Sequence, residues 1–152
     1  MKLGFASDHA GFDLKERLKA WAVGQGHEVV DFGTDGSASV DYPDFGQQVA
    51  RRVSEGSAQL GILVCGTGIG MSIVANKFPG VRAALATDVF MATMAKEHNN
   101  ANILVLGGRV INAATARAMV TAWLDTEFAG GRHQARLDKI AALESELKIQ
   151  AL

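Results

Sequence analysis

The only cysteine of the chain stands directly before three glycines at alternate positions, in the segment LVCGTGIGMSI over residues 63–73. Glycines let backbone N–H groups approach an anion, and the start of a following helix favours negative charge. A thiol that faces such amides is stabilised as the thiolate, which would make Cys65 a usable base or nucleophile, and Thr67 adds a hydroxyl in the same turn. Judged on the cysteine alone, an inert core residue is the alternative interpretation.

The glycine pattern fits neither of the common nucleotide-binding motifs. A P-loop requires G-x-x-x-x-G-K-[ST], and no Lys-Ser or Lys-Thr pair follows here. The dinucleotide fingerprint G-x-G-x-x-G, counted from Gly66, would need a glycine where Met71 stands. The sequence therefore favours an oxyanion in this loop over a bound pyrophosphate.

Two basic groups near the end of the chain could hold an anion. Arg132 and Arg136 are four residues apart, so a helix would place both guanidinium groups on one face. Such a pair, with no acidic residue between them, suits a phosphate dianion. A solvated basic face is the alternative interpretation.

The elements that must position these residues alternate between short apolar and longer amphipathic segments. The periodicity predicts strands over residues 2–7, 27–32, 60–65, 81–87 and 102–107, and helices over residues 13–23, 44–54, 69–77, 89–97 and 113–125. This order is typical of βαβ units and predicts a Rossmann-like three-layer α/β/α fold with a five-stranded parallel sheet and a C-terminal helix.

Open α/β sheets bind ligands beyond the carboxyl ends of their strands. Asp8, His9, Cys65 and Arg109 each follow a predicted strand and belong to that edge. His98 precedes the fifth strand and lies at the opposite, amino edge, so a role for it would require the site of a neighbouring subunit.

A last helix is predicted over about residues 132–148, after Gly130 and Gly131. Its apolar stripe comprises Leu137, Ile140, Ala141, Leu143 and Leu147. The sequence leaves open whether this stripe packs on its own sheet or on a neighbouring subunit. Lys15 and His27 are interpreted as surface residues.

Length and composition restrict the class of protein. A chain of 152 residues is expected to form one domain, residues 1–152. With 15 Lys and Arg against 16 Asp and Glu, a net charge of −1 supplies no long-range field for nucleic acid or an anionic membrane. One cysteine excludes an intrachain disulfide and a cysteine-based metal cluster, and fits a reducing cytoplasm. No signal peptide is visible, and no apolar run approaches the ~18 residues of a membrane span.

Six segments together resemble the ribose-5-phosphate isomerase B family, in family order over about residues 3–144: SDHAGFDLK, VVDFGT, DYPDF, CGTGIGMSIVANKFPGVRAA, EHNNANILVLGGRV and GGRHQARLDKI. The resemblance implies an aldose–ketose isomerase of the pentose phosphate pathway that interconverts ribose 5-phosphate and ribulose 5-phosphate through an enediol, without a cofactor or metal. It also implies a homodimer or dimer of dimers with sites across the interface. Relatives act on allose 6-phosphate, galactose 6-phosphate or tetrulose 4-phosphates, and these substrates are the alternatives. A non-catalytic sugar-phosphate-binding module is a further alternative.

The roles of individual residues follow from the same resemblance. Cys65 would be the base and His98 would help to open the sugar ring, while Thr67 and the amides of Gly66, Gly68, Ile69 and Gly70 would steady the enediolate oxygens. Asp8, His9, Tyr42 and Asn99 would position the hydroxyls and the ring, and Arg109, Arg132 and Arg136, with His133 or His9, would hold the phosphate. Some relatives use a glutamate later in the glycine loop, where this chain has Met71, so Cys65 is the candidate base. Asn100 and the loop over residues 34–39 depart from the family pattern.

Overall fold

The computed structural model describes residues 1–151, which form five strands and six helices. In chain order these are β1 (Lys2–Ser7), α1 (Phe12–Gly24), β2 (Glu28–Asp31), α2 (Tyr42–Ser54), β3 (Leu60–Cys65), α3 (Ile69–Ala75), β4 (Ala83–Leu85), α4 (Val89–Glu97), β5 (Ile103–Gly107), α5 (Ala113–Asp125) and α6 (Arg132–Gln150). The strands make one sheet in the order β2-β1-β3-β5-β4, and every neighbouring pair is parallel. The predicted three-layer α/β/α fold is therefore confirmed.

Alternation along the central strand decides which side of the sheet each side chain enters. All six residues of β3 are buried, as the continuous apolar run LGILVC predicts for a strand covered on both faces. Ile62 and Val64 pack with residues of α1 and α5, whereas Leu63 and Cys65 pack on the other face with residues of α2 and α3. Cys65 therefore ends the strand on the face that the helix after the glycine loop covers.

Several element boundaries differ from the prediction, and for α3 and β4 the structure shows the reason. Helix α3 ends at Ala75 rather than at residue 77, because the Asn76 side chain donates to the carbonyl oxygens of Ser72 and Ala83 and accepts from the amide of Ala83. Strand β4 has three residues instead of seven, since it lies at the edge of the sheet and pairs with β5 alone. Neither change moves a candidate site residue.

Helix α6 contacts its own chain mainly through its first turns. His133 and Leu137 are buried, but Ile140, Leu143 and Leu147 are 54%, 54% and 56% exposed. Farther along, the N–H group of Gly80 donates a bifurcated hydrogen bond to the two carboxylate oxygens of Glu144, at 3.0 and 3.1 Å. The apolar stripe of this helix is therefore left largely uncovered by its own sheet.

Within residues 1–151, no helix combines the length and apolarity that a membrane crossing needs.

Candidate active site

The glycine loop folds back over the end of β3 and holds the cysteine sulfur. Cys65 is only 4% exposed, and its Sγ accepts a hydrogen bond from the amide of Gly68 at 3.2 Å. Gly68 has a φ of +84°, and a Cβ there would lie 2.5 Å from Leu85 Cδ1, so a side chain at this position would be both strained and obstructed. Glycine at residue 68 is therefore what allows the turn to bring an amide onto the sulfur.

The loop after β5 is fastened to the glycine loop. The amide of Gly108 donates to the carbonyl oxygen of Cys65 at 2.8 Å, and the amide of Arg109 donates to the carbonyl oxygen of Gly66 at 3.0 Å. The guanidinium of Arg109 passes close to Gly66, with Nη1 3.4 Å from the place a Cβ would take. A positive charge thus lies beside the glycine loop, where Thr67 is exposed and its Oγ1 accepts from the amide of Ile69 at 3.3 Å.

Tyr42 contacts the same loop from the start of α2. A Cβ added to Gly70 would lie 2.5 to 3.0 Å from three atoms of the Tyr42 ring, so the ring packs directly on this glycine. The prediction could not have placed this contact, because the residues are distant in sequence and α2 was expected to begin at residue 44. The structure starts α2 at Tyr42, with Pro43 in the first turn, a position that suits proline.

Asp8 and His9 follow β1 at the same edge. Asp8 is buried, and its Oδ1 accepts from the amide of Gly11 at 3.0 Å, which stabilises the start of α1. His9 Nδ1 accepts from the amide of Val40 at 3.2 Å. A neutral imidazole whose Nδ1 accepts carries its proton on Nε2, so this contact specifies the tautomer of His9.

We call these residues the carboxyl-edge cluster: Asp8, His9, Tyr42, Cys65, Thr67 and Arg109, together with the loop over residues 66–70. The structure brings together here most of the residues that the sequence placed after strands. Met71, which occupies the position of the alternative base, is fully buried and would press its Sδ within 2.6 Å of a Cβ at Gly46. It packs in the core between α2 and α3 and takes no place in this cluster.

A second group, which we call the amino-edge cluster, comprises His98, Asn99, Arg132, His133 and Arg136. His98 ends α4, and its ring stacks on that of His133 with centroids 4.1 Å apart and 12° between the planes. Arg132 and Arg136 are exposed on the first two turns of α6. Burial, and after it the positive charges of His98, Arg132 and Arg136, hold the pKa of His133 below its usual range. The Glu97 carboxylate, 3.7 Å from His98 Nε2, acts in the opposite direction on the pKa of His133, and the two arginines leave the cluster with an excess of positive charge.

One residue that positions the amino-edge cluster gave no signal in the sequence. Arg82 Nε donates to the carbonyl oxygens of Asn99 at 3.2 Å and Asn100 at 3.0 Å. Asn100 has a φ of +45°, a left-handed conformation that asparagine tolerates better than most residues. Arg82 therefore fastens the turn that follows His98 from a position 16 residues earlier in the chain.

The two clusters lie at opposite edges of the sheet, as the order of elements predicts for Cys65 and His98. Five-residue β5 separates them by about 16 Å of strand length. A catalytic base must come within about 3 Å of the proton that it takes, so one chain cannot bring both clusters onto one small substrate. Arg109 accordingly does not join Arg132 and Arg136 within a chain.

Among residues 1–151, no group of three or more His, Cys, Asp or Glu side chains could hold a metal ion.

Comparison with known proteins adds to this geometry. A family profile described as Ribose/Galactose Isomerase matches residues 3–140. The chain is 45% identical to the ribose-5-phosphate isomerase B of Escherichia coli over 143 residues, which cover 94% of this chain and 96% of that protein.

Solved structures agree with the sequence comparison. The ribose-5-phosphate isomerase B of Clostridium thermocellum superimposes with a TM-score of 0.95 at 51% identity, covering 97% of this chain and 99% of that one. The ribose-5-phosphate isomerase B of Mycoplasma genitalium, with bound ribulose 5-phosphate, gives a TM-score of 0.92 at 41% identity and covers 95% of this chain and 97% of that one.

Proposed function

Because the chain belongs to the ribose/galactose isomerase family, we propose that it interconverts ribose 5-phosphate and ribulose 5-phosphate as an aldose–ketose isomerase. The observation that carries the proposal is the position of Cys65, whose Sγ is held 3.2 Å from the Gly68 amide inside a loop of glycine amides. The bound ribulose 5-phosphate in the Mycoplasma genitalium relative supports this choice of substrate. Such a reaction belongs to the pentose phosphate pathway, and a free thiol suits a cytoplasmic location.

The reaction moves one proton between adjacent carbons of the open-chain sugar. The Cys65 thiolate takes the proton from C2, and the electron pair of the broken C–H bond forms the C1–C2 double bond while O1 gains negative charge. A proton then passes from the O2 hydroxyl to O1, which moves the negative charge to O2. As O2 closes to the carbonyl of the ketose, the electron pair of the C1–C2 double bond takes the proton from the Cys65 thiol and forms the new C–H bond at C1. Aldose and ketose are isomers with the same number of electrons, so the step consumes no external oxidant or reductant.

The loop supplies donors where this negative charge develops. Ile69 and Gly70 begin α3, and the first N–H groups of a helix have no acceptor inside the helix. The Gly70 amide can therefore donate to an enediolate oxygen, with the Thr67 hydroxyl, which accepts from the Ile69 amide, beside it. Donors that are fixed before the reaction lower the barrier without having to reorganise.

The amino-edge cluster supplies the remaining functions. Arg132 and Arg136, with His133, hold the phosphate dianion, and His98 with Asn99 acts on the sugar ring. We propose that this cluster comes from a second copy of the chain, in a homodimer or dimer of dimers, since the carboxyl-edge cluster of the same chain is a strand length away. The exposed apolar side chains support such an assembly: Ile140, Leu143 and Leu147 on α6 are more than half exposed, and Phe90 on α4 is 71% exposed.

The substrate and the base are tested together. We expect ribose 5-phosphate to give the highest kcat/KM in a panel with allose 6-phosphate, galactose 6-phosphate and erythrulose 4-phosphate. Replacing Cys65 by alanine should abolish exchange of the substrate C2 proton with deuterated water and leave binding of the phosphate ester intact. Exchange at the wild-type rate would eliminate Cys65 as the base, and preference for another sugar phosphate would redirect the substrate assignment.

The shared site is tested on cyclic ribose 5-phosphate by mixing Cys65→Ala and His98→Asn, each of which should turn this substrate over poorly alone. In a mixed dimer, one site carries both substitutions and the other carries neither. Random exchange of subunits makes half of the dimers mixed, so about a quarter of all sites should regain wild-type activity. No recovery after verified subunit exchange would show that Cys65 and His98 act from the same chain.

A further inference from the structure

Lys15 is a buried cation that lies outside both clusters, contrary to the prediction that it is a surface residue. Its side chain has no exposed area, and Nζ lies 2.8 Å from each carboxylate oxygen of Asp31. Nζ also donates to the carbonyl oxygen of Thr34 at 2.6 Å. Burying an ammonium group is costly unless it is paired and hydrogen-bonded, and here its hydrogen bonds go to the last residue of β2 and to the loop that follows it.

Those contacts fix the first residues of the loop over residues 33–41, Gly33 and Thr34, which we call the root of the loop. The amide of Gly33 donates to Asp31 Oδ1 at 2.9 Å, so the carboxylate that holds Lys15 also holds the first residue of the loop. The amide of Ser7 donates to the carbonyl oxygen of Gly33, and that of Thr34 donates to the carbonyl oxygen of Ser7, both at 2.7 Å. The root of the loop is thereby fixed to the end of β1, directly before Asp8 and His9.

The far end of the same loop reaches the carboxyl-edge cluster. The Val40 amide donates to His9 Nδ1 at 3.2 Å, and two residues later Tyr42 packs on Gly70. Residues 35, 37, 38 and 39 between the two ends are exposed, so the placement of Val40 depends on where the root and the start of α2 hold the loop. Lys15 joins helix α1 both to Asp31 and to the carbonyl oxygen of Thr34 in the loop itself.

We propose that Lys15 is a positioning residue: by fixing the root of the 33–41 loop it holds the Val40 amide on His9 Nδ1 and so keeps His9 in the tautomer that carries its proton on Nε2. His9 then offers an N–H donor to the substrate. The proposal rests on the proposed function, in which His9 and Tyr42 contact the sugar phosphate. Lys15 itself touches neither the substrate nor the reacting atoms.

The chain offers a matched control in Lys19, which lies one turn farther along α1. Its Nζ also contacts Asp31 and donates to Glu16 at 2.8 Å, but it has no contact with Thr34 and is partly exposed. Lys19→Met removes one of the two ammonium groups that contact Asp31 and leaves the Thr34 carbonyl oxygen hydrogen-bonded to Lys15. Lys15→Met removes the donor of the loop carbonyl with a side chain of similar length.

The test combines steady-state kinetics with ¹⁵N NMR of the His9 ring in the free protein. Lys15→Met should shift both ring nitrogens of His9 towards a mixture of tautomers and raise KM for ribose 5-phosphate about tenfold, the loss of one hydrogen-bonded contact. Lys19→Met should leave the His9 shifts and KM at wild-type values. Wild-type shifts in Lys15→Met, or equal changes in Lys19→Met, would overturn the proposal.

A third variant keeps the test decisive if Lys15→Met does not fold. Val40→Pro removes the N–H group that reaches His9 and leaves the pair between Lys15 and Asp31 in place. It should give the same mixture of His9 tautomers, and wild-type shifts in this variant would refute the link from the loop to His9. Because the NMR measurement needs no substrate, its outcome is independent of whether the isomerase assignment holds.

Discussion

Replacing Gly70 by alanine is expected to lower kcat/KM by about 100-fold while the fold stays intact. An alanine Cβ would lie 2.5 Å from Cζ, 2.7 Å from Cε2 and 3.0 Å from Cε1 of Tyr42. Carbon atoms prefer separations of about 3.5 to 4.0 Å, so the ring must withdraw by about 1 Å. Tyr42 is 37% exposed, which gives it room to move outwards.

The size of the effect follows from this displacement. Misplacing a substrate-positioning group by 1 Å can cost about 100-fold in rate, which corresponds to about 2.7 kcal/mol. Stability should not fall, because alanine is favoured over glycine inside a helix by up to about 1 kcal/mol. Gly24→Ala is the matched control, since a Cβ at the end of α1 would meet nothing within 4 Å.

The assay follows ribulose 5-phosphate formation by absorbance, alongside thermal unfolding of each variant. If the loss acts through Tyr42, the double variant Tyr42→Ala/Gly70→Ala should be no less active than Tyr42→Ala alone. Wild-type kcat/KM in Gly70→Ala would refute the close contact between ring and loop. Multiplicative losses in the double variant would mean that the new methyl group obstructs the substrate directly.

Three further outcomes are expected. Arg136→Ala should raise KM for ribose 5-phosphate at least about tenfold and change kcat less, because a charge-assisted phosphate contact is lost; a fall confined to kcat would contradict the anchor role. His98→Asn should impair turnover of the cyclic sugar more than that of a linear substrate, and equal losses on both would exclude ring opening. Burial alone would raise the pKa of Asp31, but hydrogen bonds from Lys15, Lys19 and Gly33 outweigh burial and lower that pKa. The ionised Asp31 carboxylate therefore stabilises the folded protein fully above pH ~4, and this stabilisation is lost as the carboxylate is protonated in more acidic solution. Urea unfolding of wild type and Asp31→Asn should therefore differ at pH 7 and converge towards pH 3.

Sequence periodicity predicted the bounds of a strand or helix well where the element has one consistent apolar pattern. Strands β1 and β3 and helices α4 and α5 have the predicted bounds, since each has one consistent apolar pattern and a clear start. Asp88 and Asn112, for example, accept from amides three residues later and begin α4 and α5 as capping residues do. Strand β4 was overextended because its apolar residues continue beyond the three that pair with β5.

Lys15 shows why side-chain burial was harder to predict than secondary structure. It lies on the buried face of α1 with Leu18 and Ala22, but its charge favours the surface interpretation. What makes burial tolerable is Asp31, 16 residues away, and a loop carbonyl 19 residues away. Contacts of this kind depend on tertiary structure, and so does the contact of Arg82 with the turn after His98.

The separation of Cys65 from His98 is a case in which chain order alone was sufficient. In a parallel sheet every residue that follows a strand lies at one edge and every residue that precedes a strand lies at the other, whatever the strand order. The arginines of α6 are not covered by this rule, because no strand follows that helix. Tertiary contacts place them at the amino edge: His133 stacks on His98, and the Gly80 amide donates to Glu144 farther along the helix. The phosphate-binding arginines and the ring-opening histidine thus share one edge while the base occupies the other, so restoring activity by mixing Cys65 and His98 variants tests the parallel topology as directly as it tests the two residues.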